Sequence, residues 1–459
     1  MTTKVAKNDG ASNGSEEQHK PADRKSLAAS VVGQLLEWFE WSSYAVFAPF
    51  IAAAMFDQTD PASALLATFG VFAIGFLARP LGGIVFGIIA DKKGRKNVLM
   101  TTIIMMATAS VVIGIMPTYE SIGVWASLGL LFIRVIQGFA HGGESATANS
   151  YIPEIAPPHK RGMWGSLVYA AIFGGSVIAY TIGGVITTVL TDEQVGSWGW
   201  RIPFLLGAVA ALIAMIMRRS MQESEAFQAV EEPTAKLPSA DETANSTTRI
   251  VHDSEGEIIT KDRTKRPVWV SILLIIGMVS GVTASHYTWS SYISTYAISQ
   301  QGMAPQGAYW VTVVAQSLAL IALPLWGKLS DKIGRKPVIY IFAVALAATQ
   351  LPMMNIINDQ PVSLLIASGV SLIVVAAGGA LLAPIMAEVF PTEHRTKGIG
   401  LAYSLSVAVF GGSAPYVFQL FVAHDMAWAS SLYVIAMALL TLISMKLLPE
   451  TKGVNLHQV

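Results

Sequence analysis

One stretch occurs twice in this chain, and each copy lies between two long apolar runs: Gly87-Ile-Ile-Ala-Asp91-Lys92-Lys93-Gly94-Arg95-Lys96, then Gly327-Lys-Leu-Ser-Asp331-Lys332-Ile-Gly334-Arg335-Lys336. A short basic turn pinned by glycine between apolar runs reads as a link between two membrane helices. Two further echoes keep nearly the same offset. Glu154-Ile-Ala-Pro-Pro-His-Lys160-Arg161-Gly162 is answered by Glu388-Val-Phe-Pro-Thr-Glu-His-Arg395-Thr-Lys397-Gly398, and Phe173-Gly-Gly-Ser176 by Phe410-Gly-Gly-Ser413. The second half of the chain therefore repeats the first.

Composition supports a membrane protein. Apolar residues make up 53% of the chain and charged residues only 13%, with a mean hydropathy of +0.52, where a soluble chain carries about 25% charged residues. The formal net charge is zero, which gives a nucleic acid nothing to bind. The absence of cysteine excludes disulfides, thiol catalysis and thiolate metal sites. The polar stretch from Met1 to about Lys25 lacks the apolar core of a signal peptide.

Apolar segments of bilayer-crossing length predict an all-α membrane protein of twelve transmembrane helices, near 27–52, 64–90, 97–116, 124–150, 162–187, 200–217, 267–296, 305–328, 337–356, 362–389, 398–424 and 427–447. They divide into two pseudo-symmetric six-helix halves, 27–217 and 267–447, an arrangement shared by many membrane carriers. A polar segment, 218–266, reads as a cytoplasmic tether rich in Glu, Asp, Ser and Thr. Residues 1–26 and 448–459 are the expected tails.

Basic residues set the expected orientation. The alternate loops at 56–63, 117–123, 188–199, 297–304, 357–361 and 425–426 contain no Lys or Arg. Of the 30 basic residues, all but Arg79, Arg134 and Arg201 fall in the tails, the tether, or the loops and helix ends on the other side. Both termini of a multi-pass membrane protein are therefore expected in the cytoplasm. Arg201, beside Trp198-Gly-Trp200, reads as an interfacial anchor.

A charge near the bilayer centre costs at least a few kcal/mol, so those retained normally face a cavity or a partner. Here they are Glu37 and Glu40 in the first helix, Arg79 in the second, and Arg134 and Glu144 in the fourth, with His141 and His286 beside them. At about 1.5 Å per residue, Glu37, Arg79 and Arg134 reach similar depths and can converge. In the fourth helix Arg134, Gln137, His141 and Glu144 share one stripe, as do Gln34, Glu37, Glu40 or Trp41, and Tyr44 in the first. The seventh helix contributes His286, Trp289, Tyr292 or Ile293, and Tyr296, with no fixed charge.

Blander readings stand beside these. A Glu and an Arg at one depth also make a structural ion pair, and the aromatic stripe of the seventh helix also serves as packing. Gly82-Gly83, Gly138, Gly142-Gly143, Gly174-Gly175 and Gly411-Gly412 read as close-approach points between helices.

The doubled Gly-x-x-x-Asp-x-x-Gly-Arg-Lys turn resembles the hallmark of the major facilitator superfamily. Glu37-Trp-Phe-Glu-Trp41, Gly75-Phe-Leu-Ala-Arg79-Pro-Leu-Gly-Gly83, Arg134-Val-Ile-Gln137-Gly-Phe-Ala-His-Gly-Gly-Glu144 and Trp198-Gly-Trp-Arg-Ile-Pro-Phe204 resemble its metabolite:proton symporter family. Phe410-Gly-Gly-Ser-Ala-Pro-Tyr-Val417 points to the α-ketoglutarate permease branch of that family. Glu40 stands where the family usually shows aspartate, and the position of Pro415 differs from that branch.

The resemblance implies alternating access by a monomer, with a small-molecule substrate and protons as partners, the lipid bilayer as setting, and no cofactor. It makes Asp91, Gly94, Arg95, Asp331, Gly334 and Arg335 a cytoplasmic gate whose contacts favour the outward-open state. Arg79 and Arg134, with Gln137, His286 and Tyr292, become substrate contacts, and Glu37, Glu40, Glu144 and His141 the proton-responsive groups. Two guanidiniums suit α-ketoglutarate or a similar carboxylate, because Arg grips carboxylates in bidentate fashion. The same cavity with aromatic rings suits a zwitterion such as proline or betaine, and shikimate, citrate or an aromatic acid also remain open. An enzyme is not expected: there is no His-x-x-x-His, Gly-x-Ser-x-Gly or P-loop.

Overall fold

The computed structural model describes residues 24–93, 95–142, 152–219, 267–391, 395–454 and 456. Twelve helical rods run through them. In the first half α1 comprises Arg24–Val46 and Ala48–Met55, α2 comprises Pro61–Leu77 and Arg79–Lys93, and α3 is Arg95–Ile115; α4 is Val124–His141, α5 is Arg161–Val189 and α6 is Ile202–Arg219. In the second half α7 runs through Val268–Tyr287, a π-helical turn at Thr288–Tyr292, and Ile293–Gln301; α8 is Pro305–Ile333 and α9 is Arg335–Asn355. Then α10 comprises Pro361–Gly379 and Leu382–Val389, α11 runs through Arg395–Ser406, a π-turn at Val407–Gly411, and Ala414–Ala423, and α12 is Ala427–Leu447.

Among the described residues nine spans are long and apolar enough to cross a bilayer on those grounds alone. The others are α1, which carries Glu37 and Glu40, and α3 and α6, whose apolar stretches are the shorter Met100–Ile115 and Gly199–Ile213. Large apolar side chains such as Leu81, Ile84, Ile115, Val189, Ile321 and Leu325 point outward, as a lipid-facing surface requires.

The sequence repeat becomes a packing repeat. In the first half α1 packs on α5, α2 on α4 and α3 on α6; in the second, α7 packs on α11, α8 on α10 and α9 on α12. The halves meet where α5 lies along α8 and α2 along α11.

The rods are less continuous, and their joints shorter, than the sequence suggests. α2 breaks at Ala78, just before Arg79-Pro80, because a proline inside a helix has no N–H to donate and crowds the turn before it. α1 breaks at Phe47 ahead of Pro49, and α10 at Ala380-Leu381 ahead of Pro384. The second basic turn is hardly a turn at all. α8 continues through Asp331 to Ile333, and α9 restarts at Arg335. Gly334 alone separates them, with φ at 105°, a value that side chains rarely adopt.

Close approach of α2 and α4 explains the glycines there. A Cβ on Gly82 would strike the Phe139 carbonyl, one on Gly138 the Gly75 carbonyl, and one on Gly142 the Arg79 carbonyl. The two backbones therefore touch, and Arg79 and Arg134 are carried toward the same layer. Most of the expected tether, 220–266, and residues 143–151 at the expected end of α4 lie outside the described residues.

Candidate functional site

The ionisable residues of the first half converge in a dry layer: Glu37, Arg79, Arg134 and His141 are each no more than 3% exposed, and Glu40 is 5% exposed. They form two groups with one indole between them. The Arg79 guanidinium lies 4.3 Å from the centre of the Trp41 ring, and the Arg134 guanidinium lies 4.0 Å from the same ring. Such stacking suits guanidinium, which is weakly hydrated and planar.

Around Arg79 the first group assembles from α1, α2 and α4. Glu37 accepts from Gln34 Nε2 at 3.1 Å on one oxygen. Its other oxygen lies 3.0 Å from His141 Nδ1 and 3.9 Å from Arg79 Nη1. Arg79 also stacks over Phe76 at 4.0 Å and approaches Trp38 at 5.4 Å. Its Nε and Nη2 are buried with no hydrogen-bond acceptor. Tyr287 and Tyr403 of the second half lie within electrostatic range of this guanidinium, and the Tyr287 ring is 5.3 Å from that of Phe76. Arg79 thus stands where the two halves meet.

Arg134 organises the second group wholly within the first half. It packs over Tyr44 at 4.3 Å and Phe72 at 5.8 Å, and its Nη1 donates to Gln137 Oε1 at 2.7 Å. Gln137 Nε2 donates to Ser110 Oγ at 3.1 Å, and Ser110 Oγ donates to Glu40 Oε1 at 3.1 Å. Ser110, on α3, was not visible as a site residue in the sequence: a lone serine in an apolar run carries no signal.

His286 and Tyr292 go elsewhere. His286 sits among the rings of Trp38, Tyr169, Phe173 and Tyr287, at centroid distances of 5.0 to 6.4 Å. Tyr292 lies farther along α7, its hydroxyl donating to Gln419 at 3.0 Å and its ring 5.4 Å from Phe69. Phe69 is two helical turns from Phe76, so Tyr292 belongs to a layer beyond the arginines. There Tyr309 donates to the Val46 carbonyl, and Tyr180 shares a hydrogen bond with Ser294, each at 2.7 Å, bridging the halves. Arg201 is an end-cap, donating to the Gly114 and Met116 carbonyls at the end of α3.

On the opposite side the halves are joined by charge. Asp331 accepts from the Gly162 and Met163 amides at 2.8 and 3.0 Å, and from Arg335 Nη1 at 2.8 Å. Arg335 makes a two-point grip on Glu388, Nη2 to Oε1 at 2.9 Å and Nε to Oε2 at 3.2 Å. Glu388 also accepts from Arg161 Nη1 at 3.2 Å and from the Thr451 hydroxyl at 2.7 Å, while Arg395 reaches Glu154 at 3.3 Å. The four residues Glu154, Arg161, Glu388 and Arg395 are the repeat seen in the sequence, now exchanged between halves. Beside Gly334, Glu450 accepts from the amides of Arg335, Lys336, Thr451 and Lys452. Burial works to raise its proton affinity, but these amides outweigh it and hold the carboxyl below its usual range.

Among the described residues the halves thus touch on both sides of the arginine layer. Gly94 and Glu144 lie outside the described residues, as do the side chains of Asp91 and Arg95.

Twelve helical rods in two packed repeats, with buried ionisable groups inside the first half and Arg79 where the halves meet, have the architecture of a secondary transporter of the major facilitator type. The chain belongs to the sugar (and other) transporter family, whose profile matches residues 25–459. It is 33% identical over 427 residues to the alpha-ketoglutarate permease of Escherichia coli strain K12, covering 92% of this chain and 93% of that one. To the proline/betaine transporter of Salmonella typhimurium it is 31% identical over 389 residues, covering 84% of this chain and 76% of the relative. The solved structure of the major facilitator proton:xylose symporter XylE bound to 6-bromo-6-deoxy-D-glucose shares the fold, with a TM-score of 0.71 at 18% identity over 94% of this chain and 97% of that one.

Proposed function

We propose that this chain is a proton-coupled symporter that imports a small organic carboxylate across the bacterial cytoplasmic membrane, as a monomer with both termini inside. The observation that carries the reading is Arg79: a guanidinium between the halves, with Nε and Nη2 unpaired and aromatic rings against its face. Those two nitrogens form one edge of the fork that grips a carboxylate. Arg134 has the same two nitrogens unpaired, but it is enclosed by side chains of its own half and its Nη1 is engaged by Gln137, so we assign it to the acid Glu40 rather than to the substrate. His141 and Glu37 complete the proton-responsive set with Glu144, and the halves 27–217 and 267–447 rock about the substrate as the charged gate opens.

The charge logic supports coupling. A carboxylate that claims Arg79 competes with Glu37 for it, and an acid that loses its cation in a dry layer binds a proton more readily. Substrate and proton then favour each other's binding. The kinship to an α-ketoglutarate permease supports a keto acid as the first substrate to try.

A second reading rests on the proline/betaine relatives, with the rings of Trp38, Tyr169, Phe173 and Tyr287, which here pack on His286, as the kind of side chain that holds a quaternary ammonium. One experiment separates the two. Membrane vesicles containing the protein are given labelled α-ketoglutarate, proline or betaine, with and without an inward proton gradient. Gradient-stimulated uptake of the keto acid, abolished by Arg79→Gln, is expected. Uptake of the zwitterions alone overturns the carboxylate reading, and uptake indifferent to the gradient overturns proton coupling.

A further inference from the structure

We propose that Ser110 and Gln137 are positioning residues for the proton step, wired in series so that Arg134 acts on Glu40 through two neutral side chains instead of touching it. The inference rests on the proton-coupled reading above and assigns Gln137 a task other than substrate contact.

The directions of the hydrogen bonds follow from what each group can offer. Arginine has donors only, so Gln137 must turn its oxygen to Arg134 Nη1. Its NH₂ is then left facing Ser110 Oγ, which accepts it. With its oxygen so engaged, the serine hydroxyl directs its hydrogen to Glu40 Oε1. Three donors thus point the same way, from the cation toward the acid, and aligned hydrogen bonds strengthen one another in a low-dielectric interior. Ser110 is fully buried and Gln137 is 1% exposed, so water does not compete.

Glu40 is placed to use this chain. Among the described residues no cation pairs with it directly. Arg134 on α4 and Glu37 on its own helix are the charged groups within electrostatic range. From α6, Gly207 faces it: a Cβ there would lie 3.1 Å from Oε1 and 3.2 Å from Cγ, so the missing side chain makes room for this acid. Oε2 is buried without a partner. A proton arriving on Oε2 leaves the Ser110 bond to Oε1 intact, so Oε2 is the atom that takes it. When Arg134 moves away, Gln137 is free to turn, Ser110 loses its orientation, and the ionised acid loses its donor.

The protonated carboxyl of Glu40 is read directly by infrared difference spectroscopy on the full-length protein in lipid, as a carbonyl stretch that appears on acidification and is missing in Glu40→Gln. The readout needs no substrate. Removing a donor to the ionised form favours protonation, so Ser110→Ala should move the midpoint of this band about one unit to higher pH. Ser110→Thr, which keeps the hydroxyl, should titrate as the parent. Gln137→Leu should shift in the same direction. Because the two act in series, the Ser110→Ala, Gln137→Leu double variant should shift no further than Ser110→Ala alone.

An unshifted midpoint in Ser110→Ala, fully additive shifts in the double variant, or the absence of any titrating band that depends on Glu40 would each overturn the relay. Failure of the proton-coupled reading is seen separately, as uptake by the parent protein that is indifferent to the proton gradient, whereas gradient-driven uptake that survives intact in Glu40→Gln would overturn the role given to Glu40.

Discussion

Glu388 accepts a hydrogen bond from Arg161 at 3.2 Å, and so ties the end of the second half that carries the basic turn to the first turn of α5 in the first. The same carboxylate is held by Arg335, and the tie is mirrored by Arg395 with Glu154. Each half contributes one acid and one arginine from the same repeated motif. The bonds to Glu388 are buried and charge-assisted, each contributing about 1.5–3 kcal/mol, while Glu154 is 40% exposed and its tie to Arg395 is screened by solvent; the closure must break whenever this side opens.

Glu388→Gln should therefore favour opening on that side. The chain has no cysteine, so a single reporter can be placed at Ala383, which packs beside Ile152 and Val168 between the halves. Thiol labelling of Ala383→Cys should be about tenfold faster when combined with Glu388→Gln. Equal rates would show that the charges do not hold the closure.

Arg79→Lys tests geometry against charge. Lysine keeps the cation but not the fork or the flat face that stacks on Phe76 and Trp41. Transport should survive with KM raised about tenfold or more and kcat less affected, measured as initial uptake rates. A KM equal to the parent's would remove Arg79 from substrate binding.

Trp41 separates two guanidiniums and faces both. Replacing it with leucine removes two cation–π contacts of about 1–2 kcal/mol each in a desolvated site, while phenylalanine keeps part of them. Thermal unfolding in detergent should rank the parent above Trp41→Phe and Trp41→Leu lowest, with gradient-driven uptake falling in the same order.

Glu450 predicts a pH dependence outside the membrane. Its carboxyl is held below the usual glutamate range by the amides of α9 and of its own segment. The stabilisation is thus fully present above about pH 5 and is lost as the pH falls through the depressed value. Glu450→Gln should cost about 1 kcal/mol at neutral pH, as loss of a helix cap does, and the gap to the parent should close in acid. A gap independent of pH would mean that the amides do not depend on the charge.

Duplication, the number of rods and the residues worth watching were legible because lipid imposes simple rules: apolar length, internal hydrogen bonding and a high cost for each charge. Glu37, Arg79 and Arg134 stood out by that cost alone. Ser110 did not, since a hydroxyl within an apolar helix can satisfy itself on its own backbone and so leaves no trace in composition. Nor could periodicity place Tyr292, which shares a stripe with His286 yet lies in the closing layer beyond the arginines.

Helical spacing says which residues share a face, and so it brought Arg134 and Gln137 together and raised Glu37 and Arg79 to one depth. Which faces meet is a matter of packing between helices distant in the chain. Only the touching backbones of α2 and α4, and the room left by Gly207 on α6, decided that Arg79 stands between the halves while Arg134 is enclosed in one. The same holds for the gate: the repeated Glu and Arg were plain in the sequence, but that each acid pairs with the arginine of the other half follows from how the halves dock, where a buried charge is stable only with a partner.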